Sequence, residues 1–450
     1  SPYASPYTRP YFDKMIKIFN DSHDDIKVEH IPVSSGIQEK FRISVIGRSA
    51  PDIVLAGMNL LYDPAGKTRP EIEREAPFAY LDEILRPAEL EGIRASNYDD
   101  GWLRTIALFQ GPIALPFEMA AELIFYNKDL FEKAGLDPSV PPKTIGEFHE
   151  AAERINTISE DVYGYLFEAK DSDNVMFLER FAAPLNDQVI PHGYKNKDGE
   201  YVFTLASDKN AEAIDNFYKK PYQEGWTGEV FGYDYMTARA AFGEGKVGMF
   251  RIGSYMMVVY NKQFPDLNYG FMDFPLIDKD GGFVEAGTNT WAWVTNEEVG
   301  GHPDAAAEFI KYIASPEAQA IMMLEAGKLM PHKGAYDSED LPDYISQAKV
   351  ILDKRLDSQD IYTQKQINRY PDIATMKMGE LNITTDEIPQ AIAGGSVLRS
   401  AGTLFAKYLF DKLSAREYLL ELEKVWADAL EKEGAKVDKS SLGWNLPQAE

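Results

Sequence analysis

The pair Trp291-Ala292-Trp293 follows a polar run, Gly287-Thr288-Asn289-Thr290. In a strand the two indoles share one face. An indole face stacks on the apolar C–H face of a sugar ring, while Thr288 and Asn289 offer partners to its hydroxyl groups. On a core-facing strand the same rings are packing. The chain holds 25 Tyr, 24 Phe and 6 Trp, enough to supply stacking platforms elsewhere as well.

Other chemistries lack their residues. No Gly-x-x-x-x-Gly-Lys-Ser/Thr loop is present; Gly243-Glu244-Gly245-Lys246-Val247 has neither the spacing nor the hydroxyl. No Gly-x-Ser-x-Gly elbow occurs. His23, His30, His149, His192, His302 and His332 are scattered, without a His-x-x-x-His or His-Glu-x-x-His pair, so no zinc site is expected. Asn196-Lys197-Asp198-Gly199-Glu200 lacks the further ligands of a calcium loop and reads as a hairpin turn between Tyr194 and Tyr201-Val202-Phe203; Asp278-Lys279-Asp280-Gly281-Gly282 reads the same way. With 72 Asp and Glu, any chosen carboxylate pair is uninformative about glycoside hydrolysis. The absence of cysteine excludes disulfides, thiol nucleophiles and thiolate metal sites.

The elements that position these residues alternate in kind. Pro51-Asp52-Ile53-Val54-Leu55-Ala56, Ile113-Ala114-Leu115-Pro116, Leu123-Ile124-Phe125-Tyr126 and Val247-Gly248-Met249-Phe250 are short apolar runs of strand length. Such runs suggest strands covered on both faces and a largely parallel sheet. Ile26 to Ile31 is a further strand-like run. Between them lie amphipathic helices with readable ends. Thr144 and Glu147 form a capping box ahead of Phe148, Ala151, Ala152 and Ile155. Ser315-Pro316 opens a helix that ends near Gly327, and Ser414 with Glu417 caps a long C-terminal helix. An α/β lobe normally begins with a strand; here only the segment Ser1-Pro2-Tyr3-Ala4-Ser5-Pro6-Tyr7 precedes helical periodicity at Phe12, Met15, Ile16 and Phe19, so a first strand is expected to be short or missing. That segment carries no cleavage signature, and no compartment is read from it.

The 450 residues suggest two domains, and no Gly/Ser linker divides them. The chain is then expected to cross between domains more than once, leaving a cleft. No apolar run reaches the roughly 18 residues that would span a membrane. A net charge of -26 repels phosphate backbones, so nucleic acid is not an expected partner.

Ordered motifs then carry a resemblance. These are Ala50-Pro51-Asp52-Ile53-Val54; Ala114-Leu115-Pro116-Phe117; Leu123 through Tyr126-Asn127-Lys128-Asp129-Leu130-Phe131 to Leu136; Pro142-Lys143-Thr144 with Glu147; Phe242 to Met249 with Gly253-Ser254-Tyr255; Asn268-Tyr269-Gly270-Phe271 ending at Pro275; and Ala305 to Ile313 with Ser315-Pro316-Glu317. Together they resemble the ABC-transporter solute-binding proteins of the sugar-binding, maltose-binding-protein-like branch, in family order from about residue 12 to about 430.

The resemblance implies an α/β, two-lobed periplasmic-binding-protein fold of type II, with crossover hinge strands near 114–118, 270–275 and 326–332 and a ligand cleft between the lobes. The N-terminal lobe would hold 1–114 plus 273–325 and the C-terminal lobe 115–272 plus 326–450. It implies the solute-binding component of an ABC importer. A carbohydrate, as an oligosaccharide, would be bound by hinge closure and delivered to transmembrane permease subunits. No catalysis, cofactor or metal is implied. The expected form is a monomer outside the cytoplasm, in the periplasm or as a lipoprotein on the outer face of the cell membrane. The ligand-binding positions it implies are Asn59, Trp102, Phe117, Glu118, Asp171, Asp173, Arg251, Ser254, Tyr255 and Arg399, beside Thr288, Asn289, Trp291 and Trp293 from the residues themselves. Glu168 begins the same loop as Asp171. Two alternatives stay open: the same fold with a glycerophosphodiester, polyamine, metal or uronate ligand, and an extracellular carbohydrate-active enzyme.

Overall fold

The computed structural model describes residues 1–34, 36–57, 67–98, 100–169, 193–195, 200–277, 286–337, 339, 341–354, 395–432 and 434–443; within these the side chains of 100, 104, 107, 108, 193–195, 286, 287, 289 and 395–399 are not described. The strands are β1 (Ile53–Ala56), β2 (Ala114–Asn127), β3 (Tyr163–Leu166), β4 (Gly193–Lys195), β5 (Tyr201–Phe203), β6 (Val247–Gly253), β7 (Tyr269–Met272) and β8 (Ala286–Val294). The apolar runs at Ile113 and Leu123 belong to one strand, β2, rather than two. Between the runs the strand continues through register shifts at Glu118, and Ala120 and Ala121 pair with Gly287 and Ala286 of β8.

The sheet order is β1-β8-β2-β6-β3, with β7 also on β2. Among the described strand pairings β3 with β6 is parallel, while β1–β8, β2–β8, β2–β6, β2–β7 and β4–β5 are antiparallel. The expectation of a largely parallel sheet is therefore corrected. An apolar run reports burial on both faces, and burial does not distinguish strand direction. β4 and β5 pair antiparallel; the expected turns at 196–199 and 278–282 lie outside the described residues.

The chain forms two compact units. Unit 1 holds Ser1–Ala121, Ser254–Lys262 and Ala286–Leu352; unit 2 holds Glu122–Gly253, Gln263–Glu285 and Asp353–Glu450. β2 runs from one unit into the other at Ala121/Glu122.

In unit 1, β1, β8 and the first half of β2 back a core of Phe41, Phe78, Phe109, Trp291 and Trp293. No strand occurs among the described residues before β1. The run Ile26 to Ile31 is not a strand, because the Asn20 side chain occupies the backbone at Val28: its amide donates to the Val28 carbonyl at 2.9 Å and its oxygen accepts the Val28 N–H at 2.8 Å. The segment before the helix Arg9–Ser22 is irregular and buries Tyr3.

In unit 2 the helix Ile145–Asn156 has the expected capping box: Thr144 Oγ1 accepts the Glu147 N–H, and Glu147 accepts the Thr144 N–H. It buries Phe148, Ala151, Ala152 and Ile155 against β3 and β6. The approach is close enough to require glycine at position 164, where an added Cβ would lie 1.9 Å from the Ala152 carbonyl oxygen. Gly164→Ala is expected to cost at least about 1–3 kcal/mol, because backbone atoms have to separate; chemical denaturation measures it.

The helix Ala415–Lys432 opens at the expected Ser414–Glu417 cap. Its buried Glu423 grips two backbone segments. The Ala206 and Gly443 N–H groups each donate to the carboxylate at 2.8 Å, while Arg416, two turns earlier, donates to the Ala206 and Gly443 carbonyls at 3.3 and 3.0 Å. Burial pushes the Glu423 carboxyl up to about 7 from 4.5, against the pull of those amides. The folded state thus binds the proton more tightly than the unfolded chain. The resulting stabilisation is complete below about pH 4.5 and is lost as pH rises through about 7, with a span of about 3 kcal/mol. Between pH 8 and pH 5 the melting temperature of the native protein should therefore rise more than that of Glu423→Gln; equal slopes in a thermal melt series would refute the assignment.

Candidate functional site

Two carboxylates interrupt the apolar sequence of β2, Glu118 and Glu122, and each is met by a cation. Glu118 sits at a break in the β2–β8 register, with shifts on both sides of its pairing to Thr290. Such bulges re-aim a side chain. The Glu118 side chain is buried, 3% exposed, and accepts from Lys328 Nζ at 2.8 Å and from the Tyr3 hydroxyl. Lys328 reaches it because the helix Pro316–Ala326 stops at Gly327, whose φ of 63° turns the chain; Leu329 then accepts the Met119 N–H at 2.8 Å. Burial, followed by the Glu118 charge, raises the Tyr3 phenol well above 10, so Tyr3 stays a donor. The neighbouring Phe117 is buried, with its ring against Tyr3 and Phe12 at centroid distances of 6.0 and 6.1 Å.

Three residues further along β2, the Ala121 N–H donates to Ser254 Oγ at 3.1 Å. Ser254 opens a short 3-10 turn, Ser254–Met256, which holds Tyr255 half-buried. In unit 2, Arg251 on β6 is buried beside Glu122 at 3.4 Å and Glu168 at 3.9 Å. Burial opposes its charge, but Tyr218, Glu168 and Glu122 more than offset this and hold the guanidinium protonated.

The remaining expected positions fall elsewhere. Trp291 and Trp293, 2% and 0% exposed, lie in the unit 1 core. Their indole N–H groups donate to the Gly101 and Ala56 carbonyls, both at 3.3 Å, and the Trp293 ring packs on Phe78 and Phe109. The expected stacking platform is packing here, since the face the two rings share is the one that β8 turns to the core. Thr288 is buried on the same strand. Trp102 is enclosed in the helix Asp100–Phe109, on the wall of a cavity of about 220 Å³ shared with Leu85, Leu90 and Ile106. Asn59, Asp171 and Asp173 lie outside the described residues, as do the side chains of Asn289 on β8 and Arg399 in the helix Gly395–Leu409.

Sequence reasoning missed Tyr3, Lys328 and Glu122. The available signal was the pair of carboxylates in an apolar strand, since a buried carboxylate requires a cation or several donors. Among the described residues no group of three or more His, Asp or Glu is placed to hold a metal ion. Lys328→Met should destabilise by about 3–5 kcal/mol, because Glu118 is left as a buried uncompensated charge. Glu118→Gln with Lys328→Met should recover much of that loss. A urea double-mutant cycle reads both, and strictly additive losses would contradict the pairing.

The family model of the bacterial extracellular solute-binding proteins matches residues 5–320. The sn-glycerol-3-phosphate-binding periplasmic protein UgpB of Agrobacterium fabrum is 30% identical over 156 residues, 32% of this chain and 32% of that protein. UgpB of Brucella abortus is 26% identical over 246 residues, 52% of each. The matched stretch thus spans about a third to about half of these relatives. Solved structures extend further. A chitin oligosaccharide binding protein aligns over 96% of this chain and 98% of its own, with a TM-score of 0.65 and 18% identity. The MalE maltose/maltodextrin-binding domain of Bdellovibrio bacteriovorus, bound to maltotriose, covers 95% and 97%, with a TM-score of 0.63 and 17% identity. At such identities the likeness establishes the fold, two-lobed and α/β. With that fold over nearly its whole length and the family pattern from residue 5 to residue 320, the chain belongs to the bacterial extracellular solute-binding proteins.

Proposed function

We propose that this chain is the extracytoplasmic receptor of an ABC importer, and that it binds a carbohydrate and presents it to the membrane permease. The observation that carries the reading is the structural likeness over 96% of the chain to a protein that binds chitin oligosaccharide, joined by the maltotriose-bound MalE domain. In this reading the ligand shifts the population from an open to a closed arrangement of the lobes, and the closed form docks on the permease. The chain forms no covalent bond with its ligand.

Tyr255 is the residue we assign to ring stacking. It is half-buried, whereas Trp102, Phe117, Trp291 and Trp293 are enclosed. Ser254, its neighbour in the 3-10 turn, joins it in our ligand set as a hydroxyl partner, while Glu118, held by Lys328 and Tyr3, fixes the course of β2. A second reading, sn-glycerol 3-phosphate as ligand, is favoured by the 30% identity to UgpB.

A thermal-shift screen against chitin and maltose oligosaccharides and sn-glycerol 3-phosphate tests the proposal. A ligand at 100 times its Kd adds about 2.7 kcal/mol and raises the melting temperature. Tyr255→Ala should weaken a bound saccharide roughly tenfold, or about 1.4 kcal/mol, by calorimetric titration. Turnover of a glycan, or stabilisation by sn-glycerol 3-phosphate alone, would remove the carbohydrate-receptor reading.

A further inference from the structure

Two helices of unit 1 leave a space between them. The helix Pro87–Ser96 buries none of its residues fully. Leu90, Glu91 and Arg94 share one side of it, at helical spacing, and Trp102 and Ile106 share one side of the helix Asp100–Phe109. With Leu85 these residues line the cavity of about 220 Å³. Its lining, from Asp82 to Pro112, belongs to unit 1 alone. Protein interiors leave few voids larger than a water molecule, and an apolar cavity of about 150 Å³ is already enough to take up benzene.

The lining decides what can fill it. Leu85, Leu90, Ile106 and the Trp102 indole make the walls largely apolar. Leu85 and Trp102 are buried, while Leu90 and Ile106 are half-buried, so the space opens to solvent beside them. The indole N–H of Trp102 is buried and has no hydrogen-bond partner among the described residues. A buried donor left unpaired costs about 1–3 kcal/mol, which favours an acceptor oxygen at the floor of the cavity. The charges at the rim cancel. Arg69 holds the Asp82 carboxylate through two hydrogen bonds, of 2.7 and 2.8 Å. Glu91 and Arg94, of opposite charge, stand three residues apart on one helix.

We propose that this cavity is a binding site for a neutral, one-ring, largely apolar molecule whose oxygen accepts a hydrogen bond from the Trp102 indole. The site differs in chemistry from the carbohydrate reading above and does not rest on it. A saccharide fits poorly, because most of its hydroxyl groups would face Leu85, Leu90 and Ile106 without partners. An ion gains little from a rim whose charges cancel. An aromatic ring, by contrast, packs on the aliphatic walls and meets the indole in an edge or offset arrangement.

The test titrates the full chain, carrying isotope-labelled tryptophan, with benzyl alcohol, toluene and glucose, and follows the six indole N–H resonances. The expected result is that one resonance, absent from Trp102→Phe, moves with benzyl alcohol and saturates as a single site, while glucose leaves it in place. In calorimetric titrations Trp102→Phe should weaken benzyl alcohol roughly tenfold more than toluene, since only the alcohol loses a hydrogen bond. Leu90→Trp places a second indole in the cavity; it should abolish binding of both aromatic probes and leave the melting temperature unchanged or higher. Should Trp102→Phe fail to fold, loss of binding in a folded Leu90→Trp carries the assignment. No binding of either aromatic probe to the native protein would overturn the site, as would undiminished binding to Leu90→Trp. Equal weakening of benzyl alcohol and toluene in Trp102→Phe would overturn the indole–oxygen contact. Movement of the Trp102 resonance with glucose would overturn the apolar class.

Discussion

A strand covered on both faces cannot keep a carboxylate unless positive charge or several donors are brought to it, and β2 keeps two. That constraint organises much of what surrounds the strand. To meet Glu118, the chain must stop the helix Pro316–Ala326 at Gly327, deliver Lys328, and bring Tyr3 in from the irregular N-terminal segment. To meet Glu122, β6 must pair with β2 so that Arg251 falls within reach. The strand is also the piece of chain that continues from unit 1 into unit 2. Errors in its register would misplace both ion pairs together, because a one-residue slip sends every side chain to the opposite face.

The polar groups along β2 differ in what they can contribute. The Glu118–Lys328–Tyr3 set satisfies itself, with cation, anion and donor inside hydrogen-bond range. Buried pairs of this kind specify an arrangement more than they stabilise it, since desolvation offsets much of their attraction. In the Arg251 set the guanidinium stands 3.4 Å from Glu122 and 3.9 Å from Glu168, and all three side chains lie in unit 2.

Much of the local architecture was legible. Thr144 with Glu147, Ser315-Pro316 with Gly327, and Ser414 with Glu417 mark helix ends through contacts only three or four residues long, so short-range chemistry suffices. β1 and β6 followed from apolar runs bounded by turns. Strand direction was not legible, nor was the fusion of two runs into β2, because pairing partners lie far away in the chain. The alternation that put Trp291 and Trp293 on one face was right about the face, and could not say that this face turns inward to Phe78 and Phe109. The helix Ala415–Lys432 buries Glu423 in an otherwise apolar stripe, which periodicity alone reads as a solvent position.

By itself the sequence determined the two-lobed α/β class, the caps and the family, since these rest on local spacing and on motifs in a fixed order. It also put two carboxylates in an apolar strand, which already demanded partners. Only the tertiary structure decided who those partners are. Tyr3 and Glu118 are 115 residues apart, Glu118 and Lys328 are 210 apart, and Arg251 and Glu122 are 129 apart. Pairings at such separations follow from sheet register and from the turn at Gly327, and these become defined only when the whole chain has packed.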